Sequence, residues 1–410
     1  MTPRPLHAVQ FPPEPGGGRL LAALSAALDG TGPAILPLDP ELPAARLQQM
    51  LEVFRPSALQ TPGDTKRVEL PAVPGPGQTG VAPDIAVVVA TSGSTGQPKG
   101  VQLTAAALRA SAASSLTRIG ARPGQRWLCC LPGFHVAGLQ VLIRSLLAGT
   151  EPVVSSTVDA GIVGDAGCAY VSLVPTQLRR LIDDGAPLDT FDAILLGGAA
   201  PGDSLLADAR AAGGRVVVTY GMSETCGGCV YDGWPLDGVR VRIDSGGLIG
   251  IAGPVLFSGY RPGAADPADH ADHADRADGE GWFRTSDLGS LDAEGRLTVR
   301  GRADDVINTG GEKVVPGEVE AILGTIGGVR DVVVVGMPDS EWGELVTAIV
   351  VPANPAVPPD LSQLRGQVRD RLPGYAAPRR MVLAAQIPLL PSGKPDRIAL
   401  RRIARQNPGD

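Results

Sequence analysis

The hydrophobic positions along the chain predict short buried strands that alternate with helices. Residues 85–93 form an apolar run, IAVVVATSG, that enters a glycine-rich segment as a buried strand does. Residues 104–119 predict an alanine-rich helix with Thr104 as its N-cap. Farther along, to about residue 220, apolar runs such as YVSLV and AILLGG alternate with helical segments such as PTQLRRLIDD. This alternation predicts a layered α/β domain.

The C-terminal part of the chain shows a different pattern and predicts a smaller domain. Residues 303–410 contain the strand-like runs VVVVGMP, LVTAIVVP and RMVLAAQIP, with the helical segment LSQLRGQVRDRL before the last of them. Mixed strands and helices of this kind indicate an α+β unit. The 410 residues also exceed the roughly 100–200 residues of a usual single domain. We therefore predict a large domain at residues 1–302 and a small one at residues 303–410.

Charge and composition narrow the class of protein. The net charge of −7 gives no electrostatic support for binding to nucleic acid. No apolar run approaches the length of a membrane-spanning helix, about 20 residues, and the first residues lack the apolar segment of a signal peptide. The five cysteines are odd in number and irregularly spaced, which disfavours the disulfide framework of a secreted protein. We expect a soluble cytoplasmic protein.

Lysine is scarce, and its positions are informative. The 36 Lys and Arg residues include four lysines, at Lys66, Lys99, Lys313 and Lys394. A lysine in so arginine-rich a chain is a candidate for a task that needs a compact, flexible ammonium group. Lys99, Lys313 and Lys394 lie in the motifs described next.

Residues 91–100, TSGSTGQPKG, carry the strongest chemical signal in the sequence. Their glycines allow a sharp turn and a close approach of the backbone to a ligand. Successive N–H groups and hydroxyls can cradle an anion, to which Lys99 adds a positive charge. The spacing differs from the G-x-x-x-x-G-K-[ST] of a P-loop. The residues alone leave two alternatives open: an ordinary polar turn after a strand, and a phosphate-binding loop with the ligating residues Thr91, Ser92, Gly93, Ser94, Thr95, Gly96 and Lys99.

These ten residues match the phosphate loop of the adenylate-forming superfamily, and the chain resembles its acyl-CoA synthetases, adenylation domains and luciferases. Further motifs of that family follow in the family's order, from PGFHVAG at residues 132–138 to PSGKPDR at residues 391–397. The resemblance implies a large α/β adenylation domain and a small, mobile α+β domain. It also implies that ATP, with Mg²⁺, activates a carboxylic acid as an acyl-adenylate, and that coenzyme A takes up the acyl group.

The resemblance assigns ATP-binding roles to several residues. Tyr220 offers a face for stacking on adenine, Glu224 offers a hard oxygen ligand for Mg²⁺, and Asp287 accepts hydrogen bonds from the ribose hydroxyls. Arg302 contacts ribose and phosphate, and Lys394 supplies positive charge where the carboxylate meets the α-phosphate. The implied catalytic residues are Lys394, Glu224, Lys99 and Arg302. The implied ATP contacts also include Gly198, Ala199, Gly221, Met222 and Ser223.

The resemblance also implies sites for the acid and for coenzyme A. The acyl pocket is implied at Phe134, His135, Gly138, Gly198, Gly221 and Ser223. Gly310, Gly311 and Glu312 line the tunnel for the pantetheine arm in the family. Asp304 stands at the hinge, where a few residues absorb the change in φ and ψ that rotates the small domain.

The identity of the acid follows from a closer resemblance. Residues 220–243 and the short length of the chain resemble actinobacterial o-succinylbenzoate–CoA ligases of menaquinone biosynthesis. The alternatives are a CoA ligase for another aryl or short acyl acid and an adenylation enzyme that loads a carrier protein. A nucleotide-binding protein without catalysis is disfavoured, since Glu224, Asp287 and Lys394 are all present. Family habit suggests a homodimer.

Cys226 and Cys229 have the Cys-x₂-Cys spacing of some metal sites. No second pair follows at the spacing of a zinc site. We therefore expect buried or pocket-lining thiols at these positions rather than metal ligands.

Overall fold

The computed structural model describes residues 2–61, 68–70, 80–92, 98–261, 281–390 and 393–407. Their helices are Gly18–Leu28 (α1), Ala44–Phe54 (α2), Ala105–Arg118 (α3), Val136–Leu147 (α4), Ala160–Ala166 (α5), Pro175–Asp183 (α6), Asp203–Ala211 (α7), Pro316–Leu323 (α8), Leu361–Arg369 (α9) and Arg397–Gln406 (α10). None of these helices is long and apolar enough to cross a membrane.

The strands of the first half of the chain are Arg4–Val9 (β1), Ala34–Pro37 (β2), Ala58–Gln60 (β3), Val68–Glu69 (β4), Gly80–Val81 (β5), Ile85–Ser92 (β6), Pro98–Thr104 (β7), Trp127–Cys129 (β8), Val153–Val154 (β9), Tyr170–Leu173 (β10) and Ala193–Leu196 (β11). Those of the second half are Val216–Met222 (β12), Gly227–Tyr231 (β13), Trp234–Pro235 (β14), Arg240–Ile243 (β15), Leu248–Ala252 (β16), Gly259–Arg261 (β17), Trp282–Leu291 (β18), Leu297–Arg302 (β19), Ile307–Thr309 (β20), Glu312–Val314 (β21), Val329–Asp339 (β22), Gly343–Pro352 (β23) and Arg380–Leu383 (β24).

The chain divides into two compact units. The first unit comprises Met1–Gly197, Ala212–Arg240 and Ile251–Phe283, and the second comprises Gly198–Ala211, Val241–Gly250 and Arg284–Asp410. The predicted domain boundary between residues 302 and 303 remains a prediction.

One sheet of the first unit has the order β17-β7-β6-β2-β1-β3-β4, with β5 beside β1. Strands β6, β2, β1 and β3 are parallel, whereas β7 and β17 continue the sheet in antiparallel pairing. Most of the hydrophobic run predicted as a strand, Ile85–Ser92, is thus a central strand, since β6 lies between β2 and β7. Val88 is completely buried there, in a core that includes Leu6, Leu36 and Phe54.

The other sheet of the first unit has the order β14-β13-β12-β11-β10-β8-β9. It is parallel from β9 to β12 and antiparallel at β13 and β14. The alternating pattern correctly predicted β10, α6 and β11. The N-cap of α3 is also confirmed, because Thr104 Oγ1 accepts a hydrogen bond from the Ala107 N–H at 3.0 Å.

The second unit contains a five-stranded sheet of order β21-β20-β23-β22, with β24 parallel to β23. Strands β22 and β23 form a long antiparallel hairpin whose residues belong largely to the buried core. The predicted α+β character is confirmed, although the strand predicted at RMVLAAQIP ends at Leu383. Three described helices of this unit were not predicted: α7, α8, and the amphipathic α10, which buries Leu400 and Ala404.

Candidate active site

Strands β6 and β7 flank the predicted phosphate loop. The two strands are antiparallel and place Thr91 opposite Lys99. Thr91 Oγ1 donates a hydrogen bond to the carbonyl oxygen of Lys99 at 3.3 Å. The strands therefore hold the two ends of the loop side by side. Gly93, Ser94, Thr95 and Gly96 lie outside the described residues, and only the backbone of Ser92 is described.

Strands β11 and β12 are parallel neighbours, and each ends in a motif predicted to contact ATP. The carboxyl ends of such strands are the usual ligand-binding edge of an α/β sheet. After β11, a Cβ on Gly197 would lie 2.4 Å from Thr219 Oγ1, and Gly198 adopts a φ of +86°. Neither position therefore accommodates an ordinary side chain. Ala199 follows in the loop before α7.

The motif Tyr220–Thr225 completes β12 and turns sharply. A Cβ on Gly221 would lie 2.0 Å from the carbonyl oxygen of Gly227, at the point where the antiparallel pairing of β12 with β13 is irregular. The Met222 N–H donates to Thr225 Oγ1 at 2.9 Å, and Ser223–Thr225 forms one turn of 3-10 helix. The turn carries Glu224 at the end of the strand.

The carboxylate of Glu224 has a defined partner. Tyr260 on β17 donates its hydroxyl hydrogen to Glu224 Oε1 at 2.8 Å. The main chain is tied as well, because the Phe257 N–H donates to the carbonyl oxygen of Glu224 at 2.9 Å. One carboxylate suits Mg²⁺, which usually takes one or two carboxylates and completes its shell with water and phosphate oxygens. The described residues contain no cluster of three or more His, Cys, Asp or Glu able to hold a metal by itself. Glu224 therefore fits a cation that arrives with a nucleotide.

The segment predicted to line the acyl pocket leads into α4. His135 is the N-cap residue of α4, and its ring lies 4.7 Å from that of Phe134, centroid to centroid. A Cβ on Gly138 would lie 2.2 Å from the carbonyl oxygen of Pro132. Glycine therefore allows the first turn of α4 to pack directly on the segment before it.

Arg144, near the C-terminal end of α4, is a candidate that the sequence reasoning missed. It is 5% exposed, and its guanidinium lies 4.3 Å from the centre of the Trp127 ring. Its nitrogens donate to the hydroxyls of Ser115 and Ser172, at 3.1 Å each, and Ser115 Oγ lies 2.7 Å from the Tyr231 hydroxyl. Burial lowers the pKa of Arg144.

No carboxylate pairs with Arg144 among the residues that the structure describes, and its Nε has no hydrogen-bond partner there. A buried guanidinium with only hydroxyl partners strongly favours an anion, because burial of unpaired charge is costly. The available signal in the sequence was an arginine within the largely apolar run VLIRSLL.

In the second unit, β18 and β19 place Asp287 opposite Arg302. Asp287 is 8% exposed, and Arg302 Nη1 donates to its Oδ1 at 3.4 Å. Arg302 Nη2 donates to Oδ2 of Asp304 at 2.9 Å. Partial burial acts to lower the pKa of Arg302, but the carboxylates of Asp287, Asp304 and Asp305 outweigh it and raise this pKa. Three of the predicted residues thus form one ion-paired group.

Lys394 is exposed, in the turn before α10. Its carbonyl oxygen accepts a hydrogen bond from the Leu390 N–H at 2.8 Å. The segment is anchored by Arg397, which reaches Asp305 Oδ2 at 3.0 Å and Glu320 Oε1 at 3.3 Å. Burial raises the pKa of Glu320, although Arg397 acts in the opposite direction. This anchor connects the lysine segment to the residue that follows the predicted hinge.

The predicted glycines of the coenzyme A tunnel form a tight turn. Gly310 and Gly311 join β20 to β21 with φ values of +61° and +83°, as a two-residue hairpin of type I′ requires. The Gly310 N–H donates to the carbonyl oxygen of Trp342 at 2.8 Å. Glu312 begins β21 and is exposed.

Cys226 and Cys229 are buried and form no disulfide, and the same holds for the other three cysteines. Burial raises the pKa of Cys229 to about 12 and raises that of Cys226 as well. A thiol must lose its proton to ligate a metal. The geometry therefore agrees with the expectation of buried thiols.

The fold and these motifs define the class of protein. A model described as AMP-binding enzyme matches residues 19–288, and one described as AMP-binding enzyme C-terminal domain matches residues 318–394. The chain belongs to the family of AMP-binding enzymes, and its large α/β and smaller α+β parts are those of adenylate-forming enzymes. Both the predicted family and the predicted fold class are confirmed.

Several known ligases are similar to the chain over most of its length. A probable 2-succinylbenzoate–CoA ligase of Mycobacterium tuberculosis H37Rv is 47% identical over 334 residues, which cover 78% of this chain and 84% of that protein. A 2-succinylbenzoate–CoA ligase of Bacillus licheniformis is 33% identical over 338 residues, 76% of this chain and 68% of that protein. The structure of o-succinylbenzoate-CoA synthetase (MenE) from Bacillus subtilis, in complex with the acyl-adenylate intermediate OSB-AMP, matches with a TM-score of 0.77 and 26% identity. That match covers 97% of this chain and 88% of the MenE chain.

Proposed function

We propose that the protein is an ATP-dependent o-succinylbenzoate–CoA ligase, which forms o-succinylbenzoyl-CoA for menaquinone biosynthesis. The observation that carries the substrate assignment is Arg144, a buried guanidinium without a carboxylate partner among the described residues, on the helix that begins at His135. An aromatic acid with a second carboxylate supplies such a partner. The names of the relatives support the same substrate.

The first half-reaction joins the acid to AMP. A carboxylate oxygen of the acid attacks the α-phosphorus of ATP, the bond from that phosphorus to the bridging oxygen breaks, and pyrophosphate leaves. Positioning and neutralisation of charge supply most of the catalysis of phosphoryl-type transfers. We assign the positive charge to Lys99 and Lys394, and Glu224 holds Mg²⁺, which when bound neutralises phosphate charge.

The nucleoside of ATP needs recognition as well. We assign adenine to the loop at Gly198 and Ala199 and to the ring of Tyr220, and the ribose hydroxyls to Asp287. Gly221, Met222 and Ser223 contribute backbone contacts to the nucleotide. Because Asp287 already accepts from Arg302, its carboxylate is held in one orientation for the ribose.

The second half-reaction forms the thioester. The sulfur of coenzyme A attacks the carbonyl carbon of the mixed anhydride, the carbon–oxygen bond to phosphate breaks, and AMP leaves. We assign the pantetheine tunnel to Gly310, Gly311 and Glu312. As the family resemblance implies, the small domain rotates about Asp304. The rotation removes Lys394 from the site and brings these glycines to it.

The acid itself binds along Phe134, His135 and Gly138, with Gly198, Gly221 and Ser223 beside its reacting carboxylate. We propose that Arg144 attracts the second carboxylate of the acid toward the core of the first unit. Loss of a hydrogen-bonded charge costs about 1.5–3 kcal/mol, or roughly 10–100-fold in binding. Arg144→Met should therefore raise KM for o-succinylbenzoate by that factor and leave KM for benzoate, which lacks the second carboxylate, unchanged.

Arg144→Lys is the matched variant, because it retains the charge and should recover part of the affinity for o-succinylbenzoate. Thermal unfolding of both variants separates this effect from a loss of fold. If Arg144→Met raised KM equally for benzoate and o-succinylbenzoate, Arg144 would not be the residue that binds the second carboxylate.

The deciding experiment measures pyrophosphate release with Mg·ATP and a panel of acids, with and without coenzyme A. We expect release to require o-succinylbenzoate and o-succinylbenzoyl-CoA to form when coenzyme A is present. Lys394→Ala should slow adenylation on the order of 10²–10³-fold, the usual loss for one preorganised charge. Activity with other acids alone would retain the ligase and discard this substrate. Release of pyrophosphate with acylation of a carrier protein, but not of coenzyme A, would favour the adenylation enzyme.

We also propose that the enzyme acts in the cytoplasm, where ATP and coenzyme A are available, and that it forms a homodimer. The family resemblance supports the dimer. Light scattering during size-exclusion chromatography tests it, and a mass near the 42.1 kDa of one chain would contradict it.

A further inference from the structure

We propose that Tyr260 is a positioning residue for the divalent cation of the metal–nucleotide substrate, acting through Glu224. This inference rests on the nucleotide-binding part of the proposed function and not on the identity of the acid. Tyr260 lies outside every motif assigned above. Its hydroxyl hydrogen bond to Glu224 Oε1, at 2.8 Å, is the contact that motivates the proposal.

The hydrogen bond fixes a side chain that is otherwise free to rotate. Glu224 stands in a one-turn 3-10 helix and is partly exposed, so its own element does not select a rotamer. Tyr260 occupies Oε1 and leaves the lone pairs of Oε2 for a cation. Partners that orient a ligating carboxylate commonly control metal affinity, and their loss costs about 10–100-fold.

Tyr260 is itself held on both sides along the chain. Before it, Phe257 donates its N–H to the carbonyl oxygen of Glu224, and the rings of Phe257 and Tyr260 meet edge to face at 4.9 Å. After it, the buried Arg261 donates to the carbonyl oxygens of Phe54 and Gly80, at 2.9 and 2.7 Å. The hydroxyl is therefore aimed at Glu224 by the surrounding fold before any nucleotide binds.

The same strand connects Glu224 to the phosphate-loop hairpin. β17 is antiparallel to β7 and places Tyr260 opposite Val101, two residues after Lys99. The Ser258 N–H adds a hydrogen bond to the carbonyl oxygen of Gln102 at 2.9 Å. Tyr260 thus links the proposed metal ligand to the strand that carries a proposed phosphate-binding lysine. Cation and phosphate oxygens must be held in register for a metal–nucleotide complex to bind.

Other hydrogen bonds near Tyr260 allow its proposed role to be distinguished from a purely structural one. The hydrogen bonds of Phe257, Ser258 and Arg261 already attach this segment without it. Tyr260→Phe retains the ring and its packing on Phe257 and removes only the hydroxyl. We expect the variant to fold with a melting temperature close to that of the wild type.

The test measures binding of Mn²⁺ to the full-length protein with ATP and without acid, by electron paramagnetic resonance of free Mn²⁺. We expect Tyr260→Phe to weaken Mn²⁺ on the order of tenfold and Glu224→Gln to weaken it at least as much. Tyr170→Phe is the matched control, because its hydroxyl bonds Gln125 at 2.5 Å, away from Glu224, and it should leave Mn²⁺ affinity unchanged.

The double variant Tyr260→Phe/Glu224→Gln distinguishes a positioning role of Tyr260 from a general loss of structure. If Tyr260 acts through Glu224, Tyr260→Phe adds nothing in a Glu224→Gln background. In the kinetic assay, Tyr260→Phe should raise the Mg²⁺ concentration for half-maximal rate about tenfold and largely recover kcat at saturating Mg²⁺. Unchanged Mn²⁺ affinity in Tyr260→Phe, or an equal loss in the Glu224→Gln background, would overturn the inference. Unchanged Mn²⁺ affinity in Glu224→Gln would overturn both the role of Tyr260 and the assignment of Glu224 as the metal ligand. The panel of acids tests the identity of the substrate separately.

Discussion

At the scale of single residues, several glycines of the motifs stand where a side chain would collide with main chain. A Cβ on Gly221 would lie 2.0 Å from the Gly227 carbonyl oxygen, and a Cβ on Gly138 would lie 2.2 Å from that of Pro132. Main chain in a paired strand or a helix cannot move aside as a flexible side chain can. These glycines therefore fix the backbone that carries Tyr220, Glu224 and His135.

Gly221→Ala tests this requirement. We expect a loss of stability of about 1–3 kcal/mol, the usual cost of forced overpacking, and a weaker affinity for ATP. Gly164→Ala is the control, because Gly164 lies within α5 and nothing approaches its Cβ position within 4 Å. There alanine should stabilise by about 0.5–1 kcal/mol, since glycine is unfavourable inside a helix. Urea unfolding measures both, and equal effects of the two changes would contradict the close packing of β12 on β13.

The buried thiols allow a second prediction at this scale. Burial raises the pKa values of Cys129, Cys130 and Cys229 to about 12, and the thiolate is the reactive form. We expect Ellman's reagent at pH 8 to react slowly with the folded protein and to titrate five thiols after denaturation in guanidinium. Rapid reaction of the native protein would show that these side chains are accessible.

At the scale of elements, α10 connects two distant parts of the second unit. Its first residue, Arg397, pairs with Asp305 and Glu320 and donates to the carbonyl oxygen of Val334 at 2.8 Å. Glu320 in turn accepts from the Val334 N–H at 2.8 Å. The helix therefore holds the Lys394 segment against α8 and β22 through one guanidinium.

Arg397→Ala removes that connection. We expect a loss of about 1.5–3 kcal/mol, the usual value of hydrogen bonds to charged groups, because Glu320 keeps its charge without a cation. Arg402→Ala, an exposed position on the same helix, is the control and should change stability by less than about 0.5 kcal/mol. Chemical denaturation compares the two variants with the wild type.

The loss in Arg397→Ala should also depend on pH. Burial already raises the pKa of Glu320, and removal of Arg397 raises it further. A raised folded pKa favours the native state at low pH, and this contribution is lost as pH rises through that pKa. The destabilisation relative to wild type should therefore shrink between pH 8 and pH 5. A difference that is constant over this interval would mean that Glu320 is not left as an uncompensated charge.

At the scale of the whole molecule, the proposed half-reactions use residues of different segments. In this proposal Lys394 serves adenylation, and the Gly310–Gly311 turn serves thioester formation. A substitution in one segment should therefore slow one half-reaction and leave the rate of the other unchanged. This separation is a strong test of the two-step proposal, because a general loss of fold cannot reproduce it.

Gly311→Leu places a side chain in the proposed pantetheine tunnel. We expect at least tenfold slower thioester formation and unchanged pyrophosphate release, the reverse of Lys394→Ala. Gly328→Leu is the control, since Gly328 also has a positive φ, +95°, and no atom approaches its Cβ position within 4 Å. It therefore bears the same backbone strain outside the tunnel. Equal losses in both half-reactions for Gly311→Leu, or in Gly328→Leu, would contradict the assignment.

The sequence by itself determined the reaction class, the order of the motifs and the α/β alternation. Each of these is a local property: a buried strand, a glycine turn or a hydroxyl-rich loop is recorded in consecutive residues such as 91–100. Helices such as α8 and α10 were not predicted because their apolar patterns are short and directly follow motif residues that contain glycine and proline. Gly93, Ser94, Thr95 and Gly96 stay predictions, since they lie outside the described residues.

Only the tertiary structure decided which distant side chains meet. Tyr260 and Glu224 are 36 residues apart, Arg144 and Ser115 are 29 apart, and Arg397 and Glu320 are 77 apart. No local pattern records these pairs, because they depend on the neighbours that sheet order gives each strand and on the packing of α4 and α10. The chemistry of the motifs could therefore be predicted from consecutive residues. The partners that orient the motif side chains, or place a charge beside them, are brought together only by folding.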